Sequence, residues 1–199
     1  NREARKSLER LLDCTGTIDV AHLHIYHGKL TPAILPVLKA RRIPIVQTLH
    51  EYKLACPVYT LQRQGKNCDA CVEGSLLNSI RFRCKDGSAL RSAIMAAEMA
   101  SSRLAGDVRL VDRFICVSDF QKAIMTRAGL PQDKLATLHN FVDAGPVHEG
   151  HDGYLLYAGR IEALKGLQTL MSAVEGTDRR LLIAGDGAWV PDLRQRIRN

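Results

Sequence analysis

The sequence predicts an α/β protein: one domain built on a parallel sheet, followed by the start of a second domain of the same kind. Three observations predict it. Short apolar runs of strand length alternate with segments of helical spacing. A stretch rich in Gly, Pro and polar residues at 144–153 interrupts that alternation and reads as a linker. A second strand–helix series then begins at Tyr154.

Each element has its own signal. Leu8, Leu11 and Leu12 sit at helical spacing on a charged background, so residues 3–13 read as an amphipathic helix. Ile18 to Ile25 reads as a short strand, and Leu30 to Ala40 as a helix with Pro32 in its first turn. Ile43 to Leu49 suits a buried parallel strand that starts just after Pro44. Over residues 88–105, Ser88 reads as an N-cap and Leu90, Ile94, Ala97 and Leu104 as the apolar stripe of a helix. Arg113 to Val117 is a strand, Ser118-Asp-Phe opens the next helix, and Leu135 to Leu138 is another strand. After the linker come Tyr154 to Ala158, Leu167 to Val174, Leu181 to Ala184 and a helix from about Val190. Between residues 52 and 87 the pattern lapses, and this stretch reads as an insertion rich in cysteine. The domains expected are therefore 1–143, with that insertion, and 154–199, an incomplete second domain. Two strands make too small a sheet to stand as a whole domain.

Composition narrows the class. The chain has 199 residues and is 46% apolar, enough for a real core and against disorder. No run approaches the roughly 18 to 20 apolar residues of a membrane span. The start, Asn1-Arg-Glu-Ala-Arg-Lys, is charged and shows no secretory signal pattern. The chain does not open on Met, and the reading is of a fragment. The net charge is +7, with basic clusters at Arg2 to Arg10, Lys39 to Arg42, Arg81 to Lys85 and Arg179 to Arg198. Such an excess suits an anionic membrane surface or phosphorylated substrates, and equally a solvated surface with no partner. Nucleic acid is not expected, because no basic run is interleaved with stacking aromatics and only 5% of the residues are aromatic.

Three constellations carry chemistry. Cys56, Cys68, Cys71 and Cys84 contain a C-x2-C pair with the spacing of a zinc knuckle, and four thiolates make a closed structural site. Disulfides and reduced packing thiols are the alternatives. Cys14 and Cys116 read as small core residues. His50 ends an apolar strand whose carboxyl tip, in a parallel sheet, faces the ligand crevice; it reads as a crevice residue or as a satisfied loop histidine. His22, His24 and His27 lie nearby in sequence and read as lining the same crevice or as metal ligands. The strongest signal is Gly159-Arg160 at a strand end, followed by Lys165-Gly166. Arg grips phosphate oxygens through paired hydrogen bonds, Lys supplies a compact charge, and a helix start there favours anions. Gly185-Asp-Gly187 makes another tight strand-to-helix turn. The bland alternative is two surface cations beside a turn.

Taken in order, these pieces resemble the retaining glycosyltransferases of family 4, which have the GT-B fold. The resemblance rests on Thr48-Leu-His50, Cys56-Pro57, Asp112-Arg-Phe-Ile-Cys-Val-Ser118 with Phe120, Asn140-Phe-Val-Asp143, Tyr157-Ala-Gly-Arg160 with Lys165-Gly166, and Leu182-Ile-Ala-Gly-Asp-Gly187. It covers about Asp19 to Trp189. It implies two Rossmann-like domains facing across a cleft and transfer of a sugar from a nucleotide-diphosphate donor to an acceptor hydroxyl. On that basis Arg160 and Lys165 hold the diphosphate, and His50 touches the donor sugar. Ser118, Gly159, Gly185 and Gly187 lie close to the nucleotide. No catalytic metal is expected. The acceptor would be a saccharide or lipid-linked saccharide of the cell envelope, met at the inner face of the membrane. The family's Glu-x7-Glu element and its opening strand with a Gly-rich loop have no counterpart in this sequence, so this chain by itself is expected to be inactive. The alternatives are a non-catalytic binding module stapled by zinc, and an epimerase on the same GT-B fold.

Overall fold

The computed structural model describes residues 1–146, 150 and 152–197. The chain forms two compact units, Asn1–Phe141 and Val142–Asn199. Of the expected linker, Val147, His148, Glu149 and His151 lie outside the described residues, as do Arg198 and Asn199 at the end.

The first unit begins with α1 (Arg2–Cys14), whose first turn is capped by the side chain of Asn1 accepting from Ala4 N. Strand β1 (Ala21–Leu23) is shorter than expected, because only these residues pair with the neighbouring strand. A 3-10 turn at Pro32–Ile34 leads into α2 (Leu35–Ala40). Strand β2 (Ile45–Leu49) starts just after Pro44, which has no N–H to give a ladder. The insertion contributes a small hairpin, β3 (Gln62–Arg63) and β4 (Lys66–Asn67), and then α3 (Leu77–Arg81). Then come α4 (Ala89–Ala105), α5 (Asp107–Leu110), β5 (Arg113–Cys116), α6 (Asp119–Arg127) and β6 (Leu135–Thr137).

The sheet runs β1-β2-β5-β6 and every pairing is parallel. This is the Rossmann-like α/β arrangement that the alternating pattern predicts. Helices cover the sheet, so its central strands are buried along their length: Ile45, Gln47, Thr48 and Leu49 in β2, and Phe114 and Cys116 in β5. Asp112 staples the two central strands where they begin. Its backbone N–H donates to Ile45 O at 2.9 Å, and its Oδ2 accepts from Ile45 N at 2.8 Å. Lys39 Nζ, on α2, closes the arrangement at 2.8 Å from Asp112 Oδ1.

Two readings from the sequence need correction here. On α4, Leu90, Ile94, Ala97 and Leu104 face outward, and Ser92, Ala96 and Met99 are buried instead. The helix packs through small side chains that allow close approach to α3 and α5. The buried hydroxyl of Ser92 is satisfied locally, donating to Ser88 O and accepting from Lys85 N. Cys14 is exposed at the end of α1, whereas Cys116 is fully buried as expected.

The insertion is anchored rather than loose. Ala55 and Val72 join the main core, and Arg127 of α6 reaches Glu73 Oε1 at 2.6 Å and Asp69 Oδ2 at 2.9 Å. The second unit consists of β7 (Tyr154–Ala158), α7 (Leu167–Val174), β8 (Arg180–Ala184) and α8 (Val190–Ile197). Its two strands are parallel, and its core is Ile161, Leu167 and Leu193 with Tyr157, Leu170, Met171, Ile183, Trp189 and Val190 around them. Among the described residues no helix is long and apolar enough to cross a membrane.

Candidate functional site

Parallel pairing puts the tips of β1 and β2 side by side, because Leu23 lies opposite Gln47. Residues just beyond that pair therefore meet. His24 Nδ1 and His50 Nε2 are 2.7 Å apart and their rings stack with centroids at 5.0 Å. His22 Nε2 is 2.7 Å from Thr48 Oγ1, and its ring lies 4.5 Å from that of His24. The histidines that the sequence grouped only by proximity thus form a row along the carboxyl ends of two adjacent strands. One of the two nitrogens in the His24–His50 contact carries the hydrogen and the other accepts it, which ties the tautomer of each ring to that of its neighbour. His27 is half-buried further along. Burial, then the charge of Lys53, holds its imidazole below the usual histidine range.

Ser118 sits at the carboxyl end of β5 as the N-cap of α6. Its Oγ accepts from Gln121 N at 3.1 Å, while Gln121 Oε1 accepts from Val117 N at 2.9 Å, a reciprocal cap. Its oxygen thus already holds the helix in place.

In the second unit, Arg160 and Lys165 follow β7. Arg160 is exposed and pairs with Glu162 at 3.0 Å. Lys165 ends a short 3-10 turn and, among the described residues, makes no ion pair. Gly166 caps α7 with φ of 73°, a left-handed conformation that costs a side-chain-bearing residue energy. The two strand-to-helix loops are zipped together: Gly159 N donates to Ala184 O, Ile161 N to Asp186 O and Trp189 N to Ile161 O. A Cβ at Gly185 would stand 1.9 Å from Gly159 O, and one at Gly187 would stand 2.3 Å from Ile161 O. Both glycines are therefore required by the protein's own loop packing.

The cysteines of the insertion are all free. Cys56 and Cys71 are buried and Cys68 and Cys84 partly so. Burial first, and then the nearby thiols of Cys56 and Cys84, push Cys71 up to about 11. Among the described residues no three His, Cys, Asp or Glu side chains are grouped so as to hold a metal ion. The shared four-thiolate geometry expected from the spacing is not formed in this structure. Neither is a metal group formed by the histidine row.

Sequence reasoning did not single out Lys53 or Glu98. Lys53 is buried, with Nζ 2.9 Å from Glu98 Oε2 and 3.3 Å from Pro57 O. A lysine in a polar loop and a glutamate mid-helix give no periodic signal, and only the fold brings them together.

A parallel α/β sheet with polar side chains gathered at the carboxyl ends of its strands is a Rossmann-like arrangement, consistent with one domain of a GT-B fold. A family model described as Glycosyltransferase Family 4 matches residues 2–145, and the chain belongs to that family. No curated protein matches the chain. Membership implies a transferase that acts on a sugar donor and an acceptor.

Proposed function

We propose that the chain is part of a retaining hexosyltransferase that moves a sugar from a nucleotide-diphosphate donor to an acceptor hydroxyl. The observation that carries this reading is the family match over residues 2–145, together with the His24–His50 contact at the tips of β1 and β2. In the reaction the bond from the anomeric carbon to the diphosphate breaks and the electron pair leaves with the phosphate oxygen. The acceptor oxygen takes its place on the same face of the carbon, and the proton of the acceptor hydroxyl passes to the departing phosphate oxygen. Arg160 and Lys165 meet the charge that grows on the diphosphate, an electrostatic role suited to two exposed cations. His50 contacts the donor sugar through the ring nitrogen that His24 leaves free. Ser118, Gly159, Gly185 and Gly187 shape the strand-end loops for the nucleotide. The chemistry needs no metal.

The test is calorimetric titration with UDP and GDP. Arg160→Ala and Lys165→Ala should each weaken binding by about tenfold or more, the size of a lost charge-assisted hydrogen bond. Unchanged affinity in both variants would remove the assignment.

The acceptor in this reading is a saccharide or lipid-linked saccharide of the cell envelope, and the protein works in the cytoplasm at the inner membrane face. The excess of 28 basic over 21 acidic residues supports it. Equal flotation with neutral phosphatidylcholine vesicles and with phosphatidylglycerol vesicles would count against it. A structural zinc on Cys56, Cys68, Cys71 and Cys84 completes the reading. It is supported by the C-x2-C spacing of Cys68 and Cys71 and by the nearness of the Cys56, Cys68 and Cys84 thiols, which add to burial in pushing the Cys71 thiol up. Metal analysis finding well under one zinc per chain would dismiss it.

A further inference from the structure

The cysteine-rich insertion, residues 52–87, carries more positive charge than its own fold uses. Its carboxylates are all engaged: Asp69 and Glu73 by Arg127, and Asp86 by Lys85 and Arg91. Of its cations, Lys53 is buried against Glu98. That leaves Arg63, Lys66, Arg81 and Arg83, which are exposed and, among the described residues, pair with no carboxylate.

These cations are gathered at a cost to the fold. In the hairpin Arg63 stands directly opposite Lys66, a like-charge pair that destabilises an antiparallel ladder. The loop between them, Gln64-Gly65, has positive φ at both residues, so the hairpin turns tightly and both cations stand at its tip. Arg63 reaches the end of α3 and lies over the ring of Phe82, with its guanidinium carbon 4.1 Å from the centroid. The guanidinium carbon of Arg81 is 5.7 Å from the same centroid. Arg83 follows with φ of 48°, a left-handed position just past a helix end, where glycine serves the fold best. Like charges held face to face and an arginine in place of glycine stabilise nothing locally. A ligand of opposite charge accounts for both.

The ligand chemistry follows from how the cations are presented. A guanidinium laid on an aromatic face keeps its N–H edge free for paired hydrogen bonds to phosphate oxygens. The four stand on a hairpin tip and past a helix end, open to solvent, so they suit an array of phosphates better than one enclosed ion. Nucleic acid would need rings free to stack on bases. Here Phe82 is covered by Arg63, and Lys85 Nζ lies 5.9 Å from the centroid of Tyr59. The headgroups of an anionic bilayer require only the charge.

We propose that the insertion docks on an anionic phospholipid surface through Arg63, Lys66, Arg81 and Arg83. This docking face rests on the membrane association proposed above and is independent of the sugar chemistry.

The test measures partition of the chain of residues 1–199 onto phosphatidylcholine vesicles with and without phosphatidylglycerol. It is run at about 50 mM and about 500 mM NaCl, because salt screens attraction between exposed charges. Binding is expected only with phosphatidylglycerol and at the lower salt. Arg63→Gln/Lys66→Gln and Arg81→Gln/Arg83→Gln should each weaken it about tenfold or more, the size of two cations near a charged bilayer. Lys66→Gln alone relieves the like-charge pair, so it should keep the fold and still weaken binding about fivefold. Lys6→Gln/Arg10→Gln removes the same charge from α1 and should leave binding within about twofold. No preference for phosphatidylglycerol overturns both this face and the membrane association. Equal losses in the α1 variant and the insertion variants overturn this face alone, because total charge then accounts for the binding. Unchanged binding in the insertion variants overturns it as well. Binding to oligothymidylate that persists at about 500 mM NaCl would overturn it in favour of nucleic acid. The titration with UDP and GDP tests the transferase reading separately, and neither result decides the other.

Discussion

His24 and His50 show how one contact can set the chemistry of a ring. With Nε2 of His50 engaged by His24 Nδ1 at 2.7 Å, only Nδ1 of His50 is free to meet a ligand. An asparagine amide can stand where the Nδ1 of a histidine stands, so His24→Asn should keep the tautomer of His50. His24→Phe should release it, and nitrogen NMR of the His50 imidazole should show its tautomer ratio change. No change in His24→Phe would mean that His24 does not position the ring. His27 makes a different prediction. Its pKa is lowered from an ordinary 6.5, chiefly by burial, with Lys53 adding to the effect and Glu98 and Asp107 opposing it. The unfolded chain therefore takes up a proton at higher pH than the folded one. The stability that neutral His27 contributes is complete above about pH 6.5 and is lost as the pH falls through its lower folded value. The melting temperature should drop between pH 7 and pH 5, and drop less in His27→Gln.

At the scale of elements, the start of β2 depends on Asp112. Its carboxylate is held below the usual range: burial opposes this, but hydrogen bonds from Lys39 and the Ile45 N–H prevail. Asp112→Ala leaves the buried Ile45 N–H without an acceptor and should cost about 1–3 kcal/mol in urea unfolding, while Asp112→Asn should cost less. The loops after β7 and β8 depend on absent side chains. Gly185→Ala would drive a Cβ to 1.9 Å from Gly159 O, so the loops must part, at a cost of at least ~1–3 kcal/mol. Loss of the Ile161 and Trp189 amide protection in hydrogen exchange would report it. A Gly185→Ala protein with wild-type protection would contradict the close packing described here.

At the scale of the molecule, the two units differ in what holds them. The first has a core of nineteen buried apolar residues gathered around a four-stranded sheet. The second has, among the described residues, three buried apolar residues under a two-stranded sheet, with Tyr154, Leu155, Leu156 and Leu182 exposed. Local stability follows buried apolar contact, so the amides of β7 and β8 should exchange well before those of β2 and β5. Equal protection in the two sheets would show that the second unit has stability its own core does not explain.

The alternation of strand and helix, the Ser88 and Ser118 caps and the strand start after Pro44 were legible in the sequence, because propensity and periodicity act over a few residues. The outward face of α4 was not, since a Leu, Ile and Leu stripe has the right period and only packing through Ser92, Ala96 and Met99 decides which face turns in. The thiol arrangement was not legible either, because C-x2-C spacing fixes two cysteines and leaves the other two to the path of the insertion. The His24–His50 contact and the Lys53–Glu98 pair join residues far apart in the chain. Local sequence carries the elements, and parallel register and burial decide which of their side chains meet.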